Sequence, residues 1–163
     1  MSGALIIVSG GQSGVDRGAL DAALDCGTPC AGWCPEGRTA EDGVIPGRYP
    51  LSELPGAGPP ERTRRNVADS DGTLILLQGA LHGGTAYTHA TCVELGKPVL
   101  LVDAAVTRTA DAAARALEFV AAHGIRRLNV AGPRASHWNG ARTYAYAVVH
   151  ALIGLAMRHE AHR

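Results

Sequence analysis

The chain has 163 residues, 46% of them hydrophobic and 4% aromatic, and 15 Lys and Arg balance 15 Asp and Glu. That length suits one domain, 1–163, around one core, and a balanced charge gives no reason to expect nucleic acid or an anionic membrane as partner. No apolar run is long enough to span a bilayer, and Met1-Ser2-Gly3-Ala4 lacks the charged start of a signal peptide, so a cytoplasmic protein with reduced cysteines is expected.

The first strand is Leu5 to Val8, an apolar run that ends in Ser9-Gly10-Gly11-Gln12-Ser13-Gly14. Val15, Ala19, Ala22, Ala23 and Cys26 then recur at helical spacing up to Gly27, and Pro29 to Trp33 reads as a second strand. Residues 34–60 are rich in Pro and Gly and show no period. Segments of that kind act as lids or binding loops, or are disordered insertions; the polar content of Glu36, Arg38, Glu41, Asp42, Arg48 and Tyr49 favours a lid. A short helix carries Arg62, Arg64, Arg65 and Asn66. Leu74 to Leu77 is the third strand, and a second glycine turn, Gly79 to Thr85, opens the next helix with Thr85 as its cap. Pro98 to Val102 is the fourth strand. The helix after it has an apolar stripe of Ala110, Ala113, Ala114, Leu117, Val120 and Ala121, with Thr109 as cap and Asp111 in the first turn. Leu128 to Ala131 is the fifth strand. A last helix, opened by Ser136, buries Ala145, Val148, Val149, Leu152, Leu155 and Ala156, and residues 159–163 fray.

Strands apolar throughout are buried on both faces, which predicts an α/β fold: a doubly wound parallel sheet of about five strands with helices on both sides. The expected strand order is 2-1-3-4-5. The first and third strands then lie together where the order reverses, and ligands of such sheets bind outside the strand ends at that point. Both glycine turns leave those two strands, so they should face one crevice. Glycine lets a backbone approach a ligand closely, and the free amides of a helix N-terminus favour negative charge. Gly10, Gly11, Gln12, Ser13 and Gly14 on one side, and Gly83, Gly84, Thr85 and Thr88 on the other, are therefore candidate contacts to a small anion. Asp16 reads equally as a helix-start carboxylate and as a ligand contact, and Arg62 as a contact or a solvated cation.

Other motifs are excluded. The glycines do not make G-x-G-x-x-G, and no Gly-Lys-Ser/Thr follows them. Cys26, Cys30 and Cys34 are spaced C-x3-C-x3-C, which matches neither a zinc ribbon nor a redox pair; they read as buried apolar groups, except that Cys34, after Trp33, could face a ligand. His82 and His89 flank the second turn without a zinc spacing, and no G-x-S-x-G is present. Spacing alone supports anion binding and shows no catalysis.

Seven blocks, in order, carry a resemblance: Ser9-Gly-Gly-Gln-Ser-Gly-Val-Asp-Arg-Gly-Ala-Leu20, Gly32-Trp-Cys-Pro-Glu-Gly-Arg38, Glu41-Asp-Gly-Val-Ile-Pro46, Arg62-Thr-Arg-Arg-Asn-Val-Ala-Asp-Ser-Asp-Gly-Thr-Leu74, Gly84-Thr-Ala-Tyr-Thr88, Gly96-Lys-Pro98 and Leu128-Asn-Val-Ala-Gly-Pro-Arg134. Across nearly the whole chain it resembles the molybdenum carrier family, within the Rossmann-like superfamily that includes the lysine-decarboxylase-like phosphoribohydrolases. The resemblance implies a cytoplasmic homo-oligomer, a dimer or tetramer. It would bind and protect molybdenum cofactor (molybdopterin), or molybdate, and exchange it with molybdoenzymes or cofactor-synthesis proteins. A nucleotide is the alternative ligand. Cys34, Glu36 and Arg38 join the candidate cofactor contacts, with Arg134 as a further cation, and 34–60 becomes the cover. The phosphoribohydrolases carry P-G-G-x-G-T-x-x-E with a catalytic glutamate. Here that position is Thr88, which argues for a binding protein without that catalysis, although Glu36 or Asp16 could substitute.

Overall fold

The computed structural model describes residues 4–163; the reading of Met1 to Gly3 lies outside the described residues. Five parallel strands form the central sheet: β1 (Ile6–Val8), β2 (Cys30–Ala31), β7 (Gly72–Leu77), β8 (Val99–Asp103) and β9 (Arg127–Ala131), in the order β2-β1-β9-β7-β8. Helices α1 (Val15–Asp25), α4 (Thr109–His123) and α5 (Ala141–Ala161) pack together on one face, and α2 (Pro59–Ala68) and α3 (Gly83–Glu94) on the other. The α/β class, the parallel sheet and the helices on both faces agree with the sequence.

The order 2-1-3-4-5 does not. The last strand, β9, lies between β1 and β7, pairing Ile7 with Leu128 and Leu74 with Val130. The right-handed crossover rule fixes the hand of each connection, not how many strands it passes over. After β8 the chain returns through α4 and inserts β9 at the centre, where Leu128, Asn129 and Val130 are buried; β8 stays at the edge, half-exposed. Counted from β9, the same sheet reads 3-2-1-4-5, the doubly wound order whose reversal lies between its first and fourth strands. Here those strands are β9 and β7.

Residues 34–60 are not structureless. Pro29 to Trp33 breaks at Gly32, and β3 (Trp33–Pro35) pairs in parallel with β6 (Ser52–Leu54). Between them β4 (Thr39–Ala40) and β5 (Gly43–Val44) make a hairpin. Ile45 and Tyr49 plug into a second small core with Leu20 and Cys34. Strands of two or three residues are too short to show a period of two. Asn66 joins α2 to β3 by accepting from the Trp33 amide at 2.8 Å and donating to the Trp33 carbonyl at 3.0 Å, as a neighbouring strand would.

Three helix starts differ from expectation. α4 is capped by Arg108 without a side-chain bond, and Thr109 is its first helical residue. α3 begins at Gly83, leaving Thr85 inside its first turn. α5 begins at Ala141, because the Ser136 hydroxyl donates instead to Glu41 at 2.6 Å. α5 also stays helical to Ala161, further than expected. The buried stripe of α4 is Ala112, Ala113 and Ala116, whereas Ala110, Ala114 and Ala121 are exposed. Alanine on every face gives the hydrophobic period little contrast, so its phase is weakly determined.

Candidate ligand cleft

A cleft of about 370 Å³ opens at the C-terminal ends of β1, β9 and β7 and runs down between α2 and α3. Its wall on the β1 side holds Gly10, Gln12 and Asp16; α2 supplies Arg62, Thr63 and Asn66; the second glycine turn and α3 supply His82, Gly83, Gly84, Thr85, Tyr87 and Thr88. The sequence thus anticipated one crevice for both turns, but through the wrong pairing of strands. β9 separates them, and Asn129 with Gly132, Pro133 and Arg134 fills the floor. That stretch is a third strand-then-glycine break, the signal by which it could have been found.

The two glycine turns are chemically unlike. In the first, the amides of Gln12, Ser13 and Val15 are already used. Gln12 N–H donates to Asp16 Oδ2 at 3.2 Å, Ser13 N–H to the Gln12 side-chain oxygen at 3.0 Å, and Val15 N–H to the Pro133 carbonyl at 3.2 Å. Gly14 has φ 85°, and a Cβ there would lie 2.5 Å from the Pro133 oxygen, so this turn is built to meet the β9 turn rather than an anion. In the second, Gly83, Gly84 and Thr85 are the first three residues of α3, whose amides have no carbonyl one turn back to bond. No atom comes within 4 Å of where a Cβ would stand on Gly83 or Gly84. Free donors and the positive end of the helix therefore face the cleft here.

Arg62 and Asp16 form an ion pair in the cleft wall. Arg62 Nη1 donates to the Gly10 carbonyl at 2.8 Å and stands 3.9 Å from Asp16 Oδ2; both residues are 8% exposed. A Cβ on Gly10 would lie 2.1 Å from that Nη1, so a side chain there would displace the Arg62 guanidinium. Burial pushes the Asp16 carboxyl above its ordinary range, and the Arg62 charge works against the rise.

Six of the candidate residues do not line the cleft. Gly11 packs towards Leu51 and Ile45, and Gly14 towards Pro133. Ser13 turns away to donate to Glu41. Cys34 is fully buried in the second core, with its thiol pushed up by desolvation. Glu36 is exposed outside the cleft. Arg38 donates to the carbonyls of Ile45, Pro46, Tyr49 and Leu51, tying its own loop together. Nor does the 34–60 segment cover the cleft: only Pro59 and Pro60, at the start of α2, and no residue before them, border it. Its apolar anchors hold it against α1 instead. The hairpin reaches the rim through a clasp, in which Glu41 accepts from Ser13, the Ser136 hydroxyl and the Ser136 amide and donates its own amide to the Gln12 side-chain oxygen at 2.9 Å, and Asp42 pairs with Arg17. Among the described residues no group of three or more His, Cys, Asp and Glu is gathered to hold a metal ion, and no helix is long and apolar enough to cross a membrane.

A doubly wound sheet with a cleft at its reversal point defines a Rossmann-like fold. The chain belongs to the circularly permutated YpsA SLOG family, whose model matches residues 7–153; the displaced β9, which restores 3-2-1-4-5 when counted first, agrees with that description. It is also similar to a solved structure named "Putative molybdenum carrier protein" from Syntrophus aciditrophicus SB, with 40% identity, a TM-score of 0.89, and coverage of 91% of this chain and 94% of that one. No curated protein matches the chain.

Proposed function

We propose that this protein carries molybdenum cofactor, holding the phosphorylated pterin in the cleft and shielding it until transfer to a molybdoenzyme or from a cofactor-synthesis protein. The observation that carries this reading is the free N-terminal turn of α3 opposite a buried arginine, in a cleft of ligand size at the reversal point. Likeness to a neighbour named as a carrier supports it. The phosphate would sit on the Gly83, Gly84 and Thr85 amides, with Arg62 and Arg134 adding charge-assisted hydrogen bonds. The metal would stay on its own dithiolene, since the protein gathers no ligand cluster for it among the described residues.

Anaerobic titration with the cofactor, followed by its absorbance, tests the reading. The native protein should bind saturably, and Gly84→Asp should weaken binding at least tenfold by placing a carboxylate among the amides. The open space around Gly84 lets that side chain in without disturbing the fold. Equal binding by both proteins would refute the site.

One observation favours a second reading, phosphoribohydrolase-like cleavage of a nucleotide: Asp16 is a buried carboxyl with a raised pKa in the cleft wall, the kind of group that serves as an acid or base. The Thr88 hydroxyl, at the family's glutamate position, donates to the Gly84 carbonyl at 3.0 Å and offers no carboxylate. Release of free base from nucleoside monophosphates at about 1 s⁻¹ or faster would select the enzyme over the carrier.

A further inference from the structure

We infer that Glu41, which stands outside the cleft, is a positioning residue for it: Glu41 clamps two turns of the wall together, so that cleft occupancy and the order of the β4–β5 hairpin are linked. The inference rests on the cleft being the ligand site.

The two turns come from distant parts of the chain. Gln12 lies in the wall on the β1 side, and Pro133, Arg134 and His137 follow β9. Their inner ends are tied by backbone, since the Val15 amide donates to the Pro133 carbonyl at 3.2 Å. Their outer ends meet through side chains. The Ala135 amide donates to Ser13 Oγ at 3.1 Å, and that hydroxyl donates to Glu41. The same carboxylate accepts from the Ser136 amide at 3.1 Å and the Ser136 hydroxyl at 2.6 Å, and Arg134 Nη1 stands 3.9 Å from it. The Glu41 amide donates to Gln12 Oε1 at 2.9 Å. One hairpin residue thus holds Gln12 by its backbone and the 134–136 turn by its side chain.

Both turns offer the cleft a donor. Gln12 Oε1 accepts the amides of Ser13 and Glu41, which leaves Nε2 as the uncommitted group of that carboxamide. Arg134 has no acidic partner closer than the 3.9 Å approach to Glu41 among the described residues. A ligand that accepts from both donors bridges the turns. Its binding costs less when the turns are already held at the right separation. By linkage, whatever factor the clamp adds to ligand affinity, the ligand adds to the clamp. Residues 39–44 do not border the cleft, so Glu41 acts through Gln12 and Arg134 and not by contact.

The sign of the effect separates this role from simple charge. A carboxylate acting only through space repels an anionic ligand, and its neutralisation tightens binding. A clamp weakens binding when it is loosened.

The test combines anaerobic calorimetric titration with hydrogen exchange of residues 39–44 in the native protein, Glu41→Gln, Ser136→Ala and Gly84→Asp. Molybdenum cofactor and guanosine monophosphate are the probes. Glu41→Gln and Ser136→Ala should each bind the probe that the native protein accepts about fivefold more weakly, a size usual for coupled sites. Ser136→Ala removes one hydroxyl from an exposed residue and keeps every charge, so it loosens the clamp without disturbing the core. Saturating the native protein should slow exchange of the Glu41 amide, the donor to Gln12, by a similar factor, and should slow it less in Ser136→Ala. Gly84→Asp should lose the probe and keep the exchange rate of the unliganded hairpin. Unchanged or tighter binding in Glu41→Gln, with hairpin exchange indifferent to the probe and binding still lost in Gly84→Asp, would overturn the inference and leave the cleft as the site. Binding unaffected by Gly84→Asp, or absent for both probes, would overturn both.

Discussion

Single residues in the first glycine turn work as backbone spacers for the cleft wall. Gly14 combines φ 85° and ψ −128° with the Pro133 oxygen 2.5 Å from a would-be Cβ. A side chain there meets both backbone strain and a rigid neighbour, each costing about 1–3 kcal/mol. Gly14→Ala should therefore lower stability by about 3 kcal/mol, read from the urea midpoint at unchanged slope. A loss under about 0.5 kcal/mol would show that the β1 and β9 turns can move apart. Such a glycine is visible in the sequence, but its purpose is not: the same residue reads as an anion-binding turn until Pro133 is seen against it. Cys34 shows the converse. Its position after Trp33 suggested a ligand-facing thiol, and packing against Leu20, Ile45 and Tyr49 removes it from the cleft altogether.

Among the elements, the β4–β5 hairpin depends most on charge. Hydrogen bonds from Ser13 and Ser136 hold the Glu41 carboxyl below its ordinary value of 4.5, and the Arg17 bond holds Asp42 below 3.8. For carboxylates depressed in the folded state, stability is fully present above the unfolded pKa and declines as pH falls through the folded one. The clasp should thus be intact above about pH 4.5 and should loosen on further acidification. Hydrogen exchange of residues 39–44 should accelerate below that pH in the native protein. In Glu41→Gln it should already be fast at pH 7. Identical protection in both proteins at pH 7 would show that the apolar anchors Ile45 and Tyr49 hold the hairpin unaided. Asp16 works in the opposite sense. Desolvation raises its pKa, so its ionised form opposes folding at neutral pH, and that penalty is relieved as pH falls through its raised value.

At the scale of the molecule, the chain is a doubly wound sheet entered one strand late. Ala4 and Leu5, leading into β1, line one groove with Met157, Glu160 and Arg163 at the far end of the chain, so a short linker can join the ends. Opening the chain between α4 and β9, at the exposed Gly124 in its left-handed helix cap, then yields a protein whose strands run 3-2-1-4-5. This permutant should fold cooperatively, with a circular dichroism spectrum matching the native one and a Tm within about 10 °C, since the same core is buried and only loop closure changes. Failure to give a cooperative transition would mean that β9 must form last.

The sequence by itself determined the alternation of strands and helices and the parallel class; it named Gly10, Gln12, Asp16, Arg62, Gly83, Gly84, Thr85 and Thr88 as candidates, and these line one crevice through a strand order other than the expected one. These follow from local periodicity, turn chemistry and the handedness of crossovers, all written in neighbouring residues. Tertiary structure alone decided where β9 inserts, which amides remain free, that Gly11, Ser13, Gly14, Cys34 and Arg38 serve packing, the clasp or their own loop rather than the cleft, and that Glu36 is exposed outside it. Each of those outcomes depends on a partner far along the chain, Pro133 against Gly14, Ser136 against Glu41, Asn129 beside Thr73. Hydrogen bonds between distant residues leave no periodic trace for a local reading to detect.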